Sequence, residues 1–461
     1  MADLILVLNA GSSSLKFALF EIGEGFEPGL RLKGQIEDIE EAPRFIAKEA
    51  SGGTLAEERW TDDALKPDGL ISRLLAWIES RLGTDTLIAA GHRIVHGGRE
   101  FSAPCVLDDA AIDALDALTP LAPLHQPKSL APVRALKSLR PDLPQFGCFD
   151  TAFHHGLVPP VSRYAIPRAW EAKGIRRYGF HGLSYEHIAH RLSAMVPDMS
   201  AKRTIVAHLG NGASLCAMRD GKSVDTTMGF TALDGLMMGT RCGAIDPGVL
   251  LYLQQTEGLS VDEVERALYH ESGLLGVSGV SSDMQTLLET DDPHAAEAVD
   301  LFVHMAVREI AAMAATLGGT DCLVFTGGLG EHAAKVRSLI CDRLGFLGVE
   351  ADQTANAAGA ERIGVEDGSV MVLVVAADEE QTIARAVNRL LGVSSNRTLT
   401  PMLEQIAARN DEVTATGEPL VFTAGRERSF SLSGAYGREV MIISALTSLI
   451  AAVSLWRWAV N

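Results

Sequence analysis

The sequence predicts a duplicated α/β fold followed by a C-terminal extension, and three observations predict it. The chain opens with an apolar strand, a small-residue turn and a second strand, and the same unit returns near residue 204. Elsewhere apolar strands alternate with segments of helical periodicity, the pattern of layered α/β proteins. Beyond about residue 393 the character of the chain changes to a polar, charge-balanced stretch.

In chain order, residues 4–8 (LILVL) form the first strand, 9–14 (NAGSSS) the turn and 15–20 the second strand. Residues 204–209, 210–214 and 215–218 repeat this unit, with Ser-Leu at Ser14 and Leu15 and again at Ser214 and Leu215. One such hairpin is commonplace; two, each near the start of a half, argue for duplication. Between residues 297 and 317, Phe302, Ala306, Ile310, Met313 and Leu317 recur at helical spacing. Residues 322–325 are a buried strand running into Thr326, Gly327, Gly328, Leu329 and Gly330, with a helix expected over 332–344. Residues 370–375 form another strand, and the helix after it places Ile383, Val387, Leu390 and Leu391 on one face. These apolar faces are packing surfaces and carry no chemistry.

The 461 residues exceed one compact core and fit two domains. Forty basic against 59 acidic side chains leave a net charge of −19. Such a chain is a poor general binder of nucleic acid, although a local arginine cluster still suits a small anion. Cys105, Cys148, Cys216, Cys242, Cys322 and Cys341 form no C-x-x-C pair and no Cys/His metal pattern, so free thiols in a reducing compartment are expected. Asp3 stands where an export signal would be positive, and the apolar run after it is short, so the expected location is the cytoplasm. Residues 397–461 carry six basic and six acidic residues, which places the whole net charge in the body. Within them, residues 440–456 run 17 positions without a charge, the lower limit of a membrane span being about 17. Ser444, Thr447, Ser448 and Ser454 favour an amphipathic or core helix there over membrane contact.

Three glycine-bearing turns follow apolar strands, at 9–14, 210–214 and 327–330. Glycine lets backbone N–H groups approach an anion, and a helix N-terminus after the third turn would add a favourable dipole. Together they suggest a nucleotide cradle. No phosphate-binding G-x-x-x-x-G-K-S/T loop is present, because Cys216 stands where Gly221, Lys222 and Ser223 would need the upstream glycine. A rival pattern, G-x-G-x-x-A from Gly328 to Ala333 with Glu350 about 20 residues on, matches a dinucleotide fold weakly. Arg93 and Arg241 sit among glycines and apolar residues, where a guanidinium suits a carboxylate or a phosphoryl group. A surface arginine paired with an acid is the plainer alternative for either one. Asp150 is expected at the C-terminal end of a strand, and His181 lies between glycines and aromatics, as a merely buried histidine also would. Glu379 begins a helix, where Asp378, Glu379 and Glu380 would stabilise any N-terminus and where a metal could equally bind.

The strings LNAGSSSLKF, GHRIVHGG, FDTAFH, RYGFHG, HLGNGAS, DGLMMGTR and FTGGLGE occur in this order between residues 8 and 331. Through them, residues 1–393 resemble the acetate/propionate kinase family, within the actin-like (ribonuclease H-like) fold of sugar kinases and heat-shock ATPases. The resemblance implies a two-domain protein with a central interdomain cleft. Its limits would be 1–150 (completed by the helix at about 380–393), 151–379 and an extension over 394–461. It also implies Mg2+-dependent, reversible transfer from ATP to acetate giving acetyl phosphate and ADP, with Mn2+ able to replace Mg2+, and a homodimer. Under it Asn9 and Glu379 would place the metal, and Lys16 would contact nucleotide phosphates. Arg93 would hold the acetate carboxylate, His181 and Arg241 would stabilise the phosphoryl group in flight, and Asp150 would be the catalytic carboxylate. A carboxylate is already nucleophilic at neutral pH, so Asp150 is expected to orient groups rather than remove a proton. His208, Leu209, Gly210, Asn211 and Gly212, then Asp283, Met284 and Gln285, and Gly328, Leu329, Gly330, Glu331 and His332 would hold the nucleotide. Val95, Leu124 and Phe180 would enclose the methyl group, and Val95 favours acetate over propionate. The alternatives are a propionate kinase and a non-catalytic actin-like nucleotide-binding protein.

Four positions depart from the family pattern. Gln285 replaces an arginine, Asp378 an asparagine before Glu379, His332 an asparagine, and Tyr185 a histidine after Ser184. None removes a group with a proposed catalytic role.

Overall fold

In the computed structural model of the chain, two mixed β-sheets repeat one strand plan. The residues described are 1–11, 14–23, 27–39, 42–60, 67–196, 198, 202–394, 420–423 and 429–432. The first sheet holds β1 (Asp3–Ala10), β2 (Leu15–Glu21), β3 (Gly29–Glu37), β4 (Arg44–Glu49), β5 (Thr54–Arg59), β6 (Thr86–Ile94), β7 (Cys105–Val106) and β8 (Gln145–Phe149). Its spatial order is β5-β4-β3-β2-β1-β6-β8-β7. The second holds β9 (Thr204–Leu209), β10 (Ala213–Arg219), β11 (Lys222–Thr226), β12 (Cys322–Thr326) and β13 (Met371–Val374), in the order β11-β10-β9-β12-β13.

The duplication is explicit in the pairing. In the first sheet β3-β2-β1 is antiparallel, and β6 and β8 then add parallel to β1 and to each other. In the second, β11-β10-β9 is antiparallel, and β12 and β13 add in parallel. The five-stranded plan is the same, as the actin-like resemblance requires, and β4, β5 and β7 are additions to the first copy. Parallel strands are covered on both faces, which is why β1 is buried from Leu4 to Asn9 and β8 over its full length.

Helices supply the cover. Pro293–Leu317 lies against the second sheet with Phe302, Ala306, Ile310, Met313 and Leu317 all buried, as their spacing predicted. It is capped by the Asp292 carboxylate, which accepts the His294 N–H, and stopped by Gly318 at φ 74°. The helix Glu379–Ser394 returns to the first sheet, where a Cβ on Gly91 of β6 would lie 2.6 Å from Ile383 and 2.7 Å from Val387. Only glycine lets strand and helix approach this closely.

Two local expectations change. The third glycine turn is itself helical: Gly327–His332 forms a short helix, Ala333 interrupts it, and Ala334–Asp342 continues. Gly327 at φ 77° makes the sharp entry that allows helix to start directly at the strand end. Glu350 belongs to no strand, and β12 sits in a sheet begun by an antiparallel hairpin, so the dinucleotide reading of Gly328–Ala333 fails.

All six cysteines are free, four of them buried and Cys105 and Cys242 half-buried. Among the described residues no helix is long and apolar enough to cross a membrane, and residues 440–456 lie outside them. The chain divides into residues 1–390 and 391–461; in the latter, β14 (Leu420–Thr423) pairs antiparallel with β15 (Ser429–Leu432).

Candidate active site

The site forms at the C-terminal ends of the parallel strands, where α/β sheets collect ligands. Adjacent β6 and β8 are in register Arg93 to Cys148 and Ile94 to Phe149, so Arg93 and the residue following β8, Asp150, come side by side. Arg93 Nε donates to both Asp150 oxygens at 3.1 Å, and Nη2 donates to Oδ2 at 2.6 Å. Arg93 Nη1 donates to Asn9 Oδ1 at 3.3 Å, at the end of β1. The Asn9 amide in turn donates to Glu379 at 3.0 Å and to Glu380 at 2.8 Å. One line of contacts thus joins three strand ends to the start of the helix Glu379–Ser394. Burial pushes the Asp150 carboxyl up to about 6 against the pull of Arg93, which still leaves it ionised at neutral pH. Burial alone would raise Glu379 as well, but Arg93, His208, Lys16 and Asn9 outweigh it and hold the carboxyl low.

His181 follows from the next element. The helix Gly182–Met195 begins directly behind it, and His181 itself adopts the left-handed φ of 59°, a conformation that non-glycine residues hold only under surrounding constraint. Its ring stacks on His208 with centroids 4.3 Å apart, and its Nδ1 lies 2.9 Å from Ser214 Oγ. Its Nε2 faces the 210–212 turn, since a Cβ on Gly212 would lie 3.2 Å from Nε2 and 3.9 Å from Arg241 Nη1. Burial, and then the neighbours His208, Arg93 and Arg241, push the His181 imidazole well below the usual histidine range. It is a neutral ring at pH 7.

Arg241 is enclosed without an acid. Its Nη1 donates to Ala232 O at 3.2 Å, and its Nη2 donates to His125 Nε2 at 3.2 Å. Among the described residues it has no carboxylate within ion-pair distance, whereas Arg93 has Asp150. His125, held down to about 3 by burial and by Arg241, is a neutral acceptor. A half-buried cation with only neutral partners favours an incoming anion.

Beside Arg241 is a small pocket lined by Val95, Ala122, Leu124, His125, Phe180 and Tyr269, among others. It offers about 10 Å3 to the centre of a water-sized group, room for one such group and little more. Val95, Leu124 and Phe180, expected to enclose a methyl group, are therefore together.

The second and third glycine turns also meet. A Cβ on Gly327 would lie 2.8 Å from Leu209 O, and one on Gly210 would lie 3.9 Å from Gly328 N. This brings His208 to Gly212 against Gly328 to Gly330. The Glu331 carboxylate accepts the N–H of Gly327 at 3.1 Å and of Ala377 at 2.9 Å, tying the turn to the segment before Glu379. His332 is exposed. The remaining three expected residues have other engagements: Asp283 caps the helix Met284–Glu289, Met284 is core, and the exposed Gln285 donates to Glu289 at 2.8 Å. Lys16, at the start of β2, is exposed and faces Glu379 and Glu380.

Among the described residues no group of three or more His, Cys, Asp or Glu is arranged to hold a metal. Mg2+ usually takes one or two carboxylates and completes its shell with water and substrate phosphate. Glu379, kept ionised, is a hard oxygen donor of that kind. The Asn9 amide beside it turns its NH2 group to Glu379 and its oxygen to Arg93, and would offer that oxygen to an ion by turning over, so the residues fit a site of one carboxylate and one amide.

Three contributors were not singled out from the sequence. His125 precedes the helix Gln126–Leu139, and its only signal is a histidine just before Gln-Pro. Ser214 orients His181. Arg337 is 1% exposed and donates to the carbonyls of Gly330 and Glu331 at 2.9 and 2.8 Å, and to Asn356, bracing the third turn from behind.

The sequence pattern of the acetokinase family matches residues 4–385. An acetate kinase of Rhodopseudomonas palustris is 49% identical over 398 residues, spanning 85% of this chain and 99% of that protein. A propionate kinase from Francisella tularensis superposes with a TM-score of 0.76 at 35% identity, covering 83% of this chain and 98% of the other. An acetate kinase from Porphyromonas gingivalis does so at 0.73, with 35% identity and the same coverage.

Proposed function

The chain belongs to the acetokinase family, and from that premise we propose that it transfers a phosphoryl group reversibly from ATP to acetate by direct in-line attack, giving acetyl phosphate and ADP. It is a phosphotransferase with a carboxyl acceptor, which sets aside a non-catalytic role. The observation that carries the choice of substrate is Arg241, a cation without an acid, placed between neutral His181 and a one-methyl pocket.

The chemistry follows from charge. Acetate and ATP are both anions, and the acetate carboxylate needs no base. The site's task is to hold them together and to spread the charge that develops on the phosphoryl oxygens. In our reading the acetate methyl enters between Val95, Leu124 and Phe180, with its carboxylate toward Arg93 and Arg241. Arg93 has five N–H donors; three are engaged by Asp150 and Asn9, leaving one on each terminal nitrogen for a ligand. Asp150 acts by orienting Arg93. Arg241 and His181 Nε2 donate to the phosphoryl group in flight. The glycine turns at 210–212 and 327–330 take the nucleotide phosphates through backbone N–H groups, with Lys16 adding charge, and the segments at Asp283–Gln285 and Glu331–His332 complete the nucleotide side. When bound by Asn9 and Glu379, Mg2+ supplies further positive charge against the phosphate oxygens.

The small pocket favours acetate over propionate. The proposed domains are 1–150 with the helix at about 380–393, 151–379, and the extension 394–461. A homodimer is proposed with them. The helix Pro247–Gln255 buries none of its residues and leaves Leu251 and Tyr252 each 54% exposed, an apolar face that a second copy would cover. Six free thiols suit the cytoplasm. The direct test is formation of acetyl phosphate from acetate and MgATP, trapped as the hydroxamate. Turnover with acetate above propionate supports the reading; a clear preference for propionate, or no product from either acid, rejects it.

A further inference from the structure

Tyr185 is 0% exposed and lies one turn into the helix that His181 begins. We propose that Tyr185 acts through Ser214 as a positioning residue that keeps the proton of the neutral His181 ring on Nε2, the nitrogen facing the anion site. This rests on the reading of His181 as a donor to the phosphoryl group.

The three groups form a short relay. The Tyr185 hydroxyl and Ser214 Oγ are 2.5 Å apart, and Ser214 Oγ is 2.9 Å from His181 Nδ1. Ser214 is also 0% exposed, so no bulk water competes. Among the described residues Ser214 Oγ is the only hydrogen-bond partner of the Tyr185 hydroxyl. Tyr185 itself is pushed well above the usual tyrosine range by burial, which keeps its proton in place.

A buried hydroxyl proton needs an acceptor, and here that acceptor is Ser214 Oγ. The serine proton is then directed to its other neighbour, His181 Nδ1. Nδ1 therefore holds a lone pair, and a neutral imidazole must carry its one proton on Nε2. The opposite arrangement has two penalties. If Nδ1–H donated to Ser214, either the phenol proton or the serine proton would be buried without a partner, because Ser214 Oγ would have to accept from both neighbours or pass its own proton to Tyr185. The Nε2 lone pair would also point at an anion. Stacking on His208, whose Nδ1 is 2.8 Å from Ser184 Oγ, fixes the ring plane, so the relay has only the proton position to decide.

The test reads the proton directly. Nitrogen-15 spectra of imidazole-labelled full-length protein, without ligand, distinguish protonated from unprotonated ring nitrogens in the wild type, Tyr185→Phe and Ser214→Ala. Expected is Nε2–H at His181 in the wild type and a shift of both His181 nitrogens toward a tautomer mixture in each variant. In turnover, kcat should fall on the order of 10-fold, the size seen when an orienting partner is removed, with KM for acetate within about twofold of wild type. His181 protonated at Nδ1 in the wild type, or unchanged His181 signals in the variants, would overturn the proposal. Should Tyr185→Phe fail to fold, Ser214→Ala breaks the same relay from its other end. Absence of acetyl phosphate formation by the wild type, with the spectral shifts intact, would sink the functional reading while leaving the relay standing.

Discussion

The Gly182 N–H donates to the Asp150 carbonyl oxygen at 2.8 Å, and a Cβ on Gly182 would lie 2.2 Å from that same oxygen. This contact joins the end of β8 to the start of the helix Gly182–Met195. It therefore sets Asp150 against His181, whose left-handed backbone is held between them. A methyl group at 182 meets backbone, which cannot rotate away. Gly182→Ala is expected to destabilise the fold by about 1–3 kcal/mol, the usual cost of overpacking. It should also lower kcat by on the order of 10²-fold, because a displacement of about 1 Å in a reacting group is that costly. Thermal unfolding and steady-state kinetics on the same preparation check both parts; a variant with unchanged kcat contradicts the coupling.

The pocket beside Arg241 makes a specificity prediction. With about 10 Å3 inside it, an added methylene has nowhere to go unless a wall recedes. One methylene in an apolar pocket is worth about 1–3 kcal/mol. Val95→Ala should raise the propionate-to-acetate ratio of kcat/KM by about 10-fold. A ratio unmoved by the substitution places the acid's hydrocarbon elsewhere.

A third prediction concerns stability alone. Asp321 accepts three N–H groups of Arg203, from the backbone at 2.8 Å, Nε at 3.0 Å and Nη2 at 2.6 Å. These contacts fasten the entry of β9 to that of β12, and the side-chain hydrogen bonds to Arg203 hold the Asp321 carboxyl down to about 2. Its folded value lies below its unfolded one, so the stabilisation is fully present above about pH 4 and is lost as pH falls through about 2. Both side chains are partly exposed, and solvent screening reduces the worth of the pair to about 1 kcal/mol. The denaturation midpoint of Asp321→Asn should trail wild type by that amount at pH 7, with the gap closing on acidification. A gap that persists unchanged at pH 2 would exclude the ion pair as its source.

Much of this arrangement was legible in the residues, for reasons that differ between elements. The strands and the helix Pro293–Leu317 were readable because burial on one or both faces imposes a period on the apolar residues. The placement of Asp150 followed from its position just past a short apolar strand. Side-chain pairing across the chain was not readable. Nothing in the spacing of Arg241 and His125 says that they touch, since one precedes a helix in the first half and the other lies in a glycine-rich loop of the second. The fork of Arg93 on Asp150 depends on the parallel register of β6 and β8, which only the sheet order defines. Arg337 looks like an ordinary exposed helix charge in sequence, yet it is 1% exposed, with its guanidinium donating to the carbonyls of Gly330 and Glu331 and to Asn356. The Asp283 side chain caps a helix, a use that was equally invisible in the sequence and that stands beside the nucleotide contact proposed for its segment.

Arg241, a half-buried cation without an acid partner among the described residues, is the donor whose work is done in the transition state. Removing one charge-stabilising donor of this type costs on the order of 10²–10³ in rate. The decisive measurement is the steady-state kinetics of Arg241→Ala with acetate and MgATP. The expected result is a kcat lower by that factor, with KM for acetate raised far less. A kcat near wild type, with the loss confined to KM, would contradict the role assigned to Arg241.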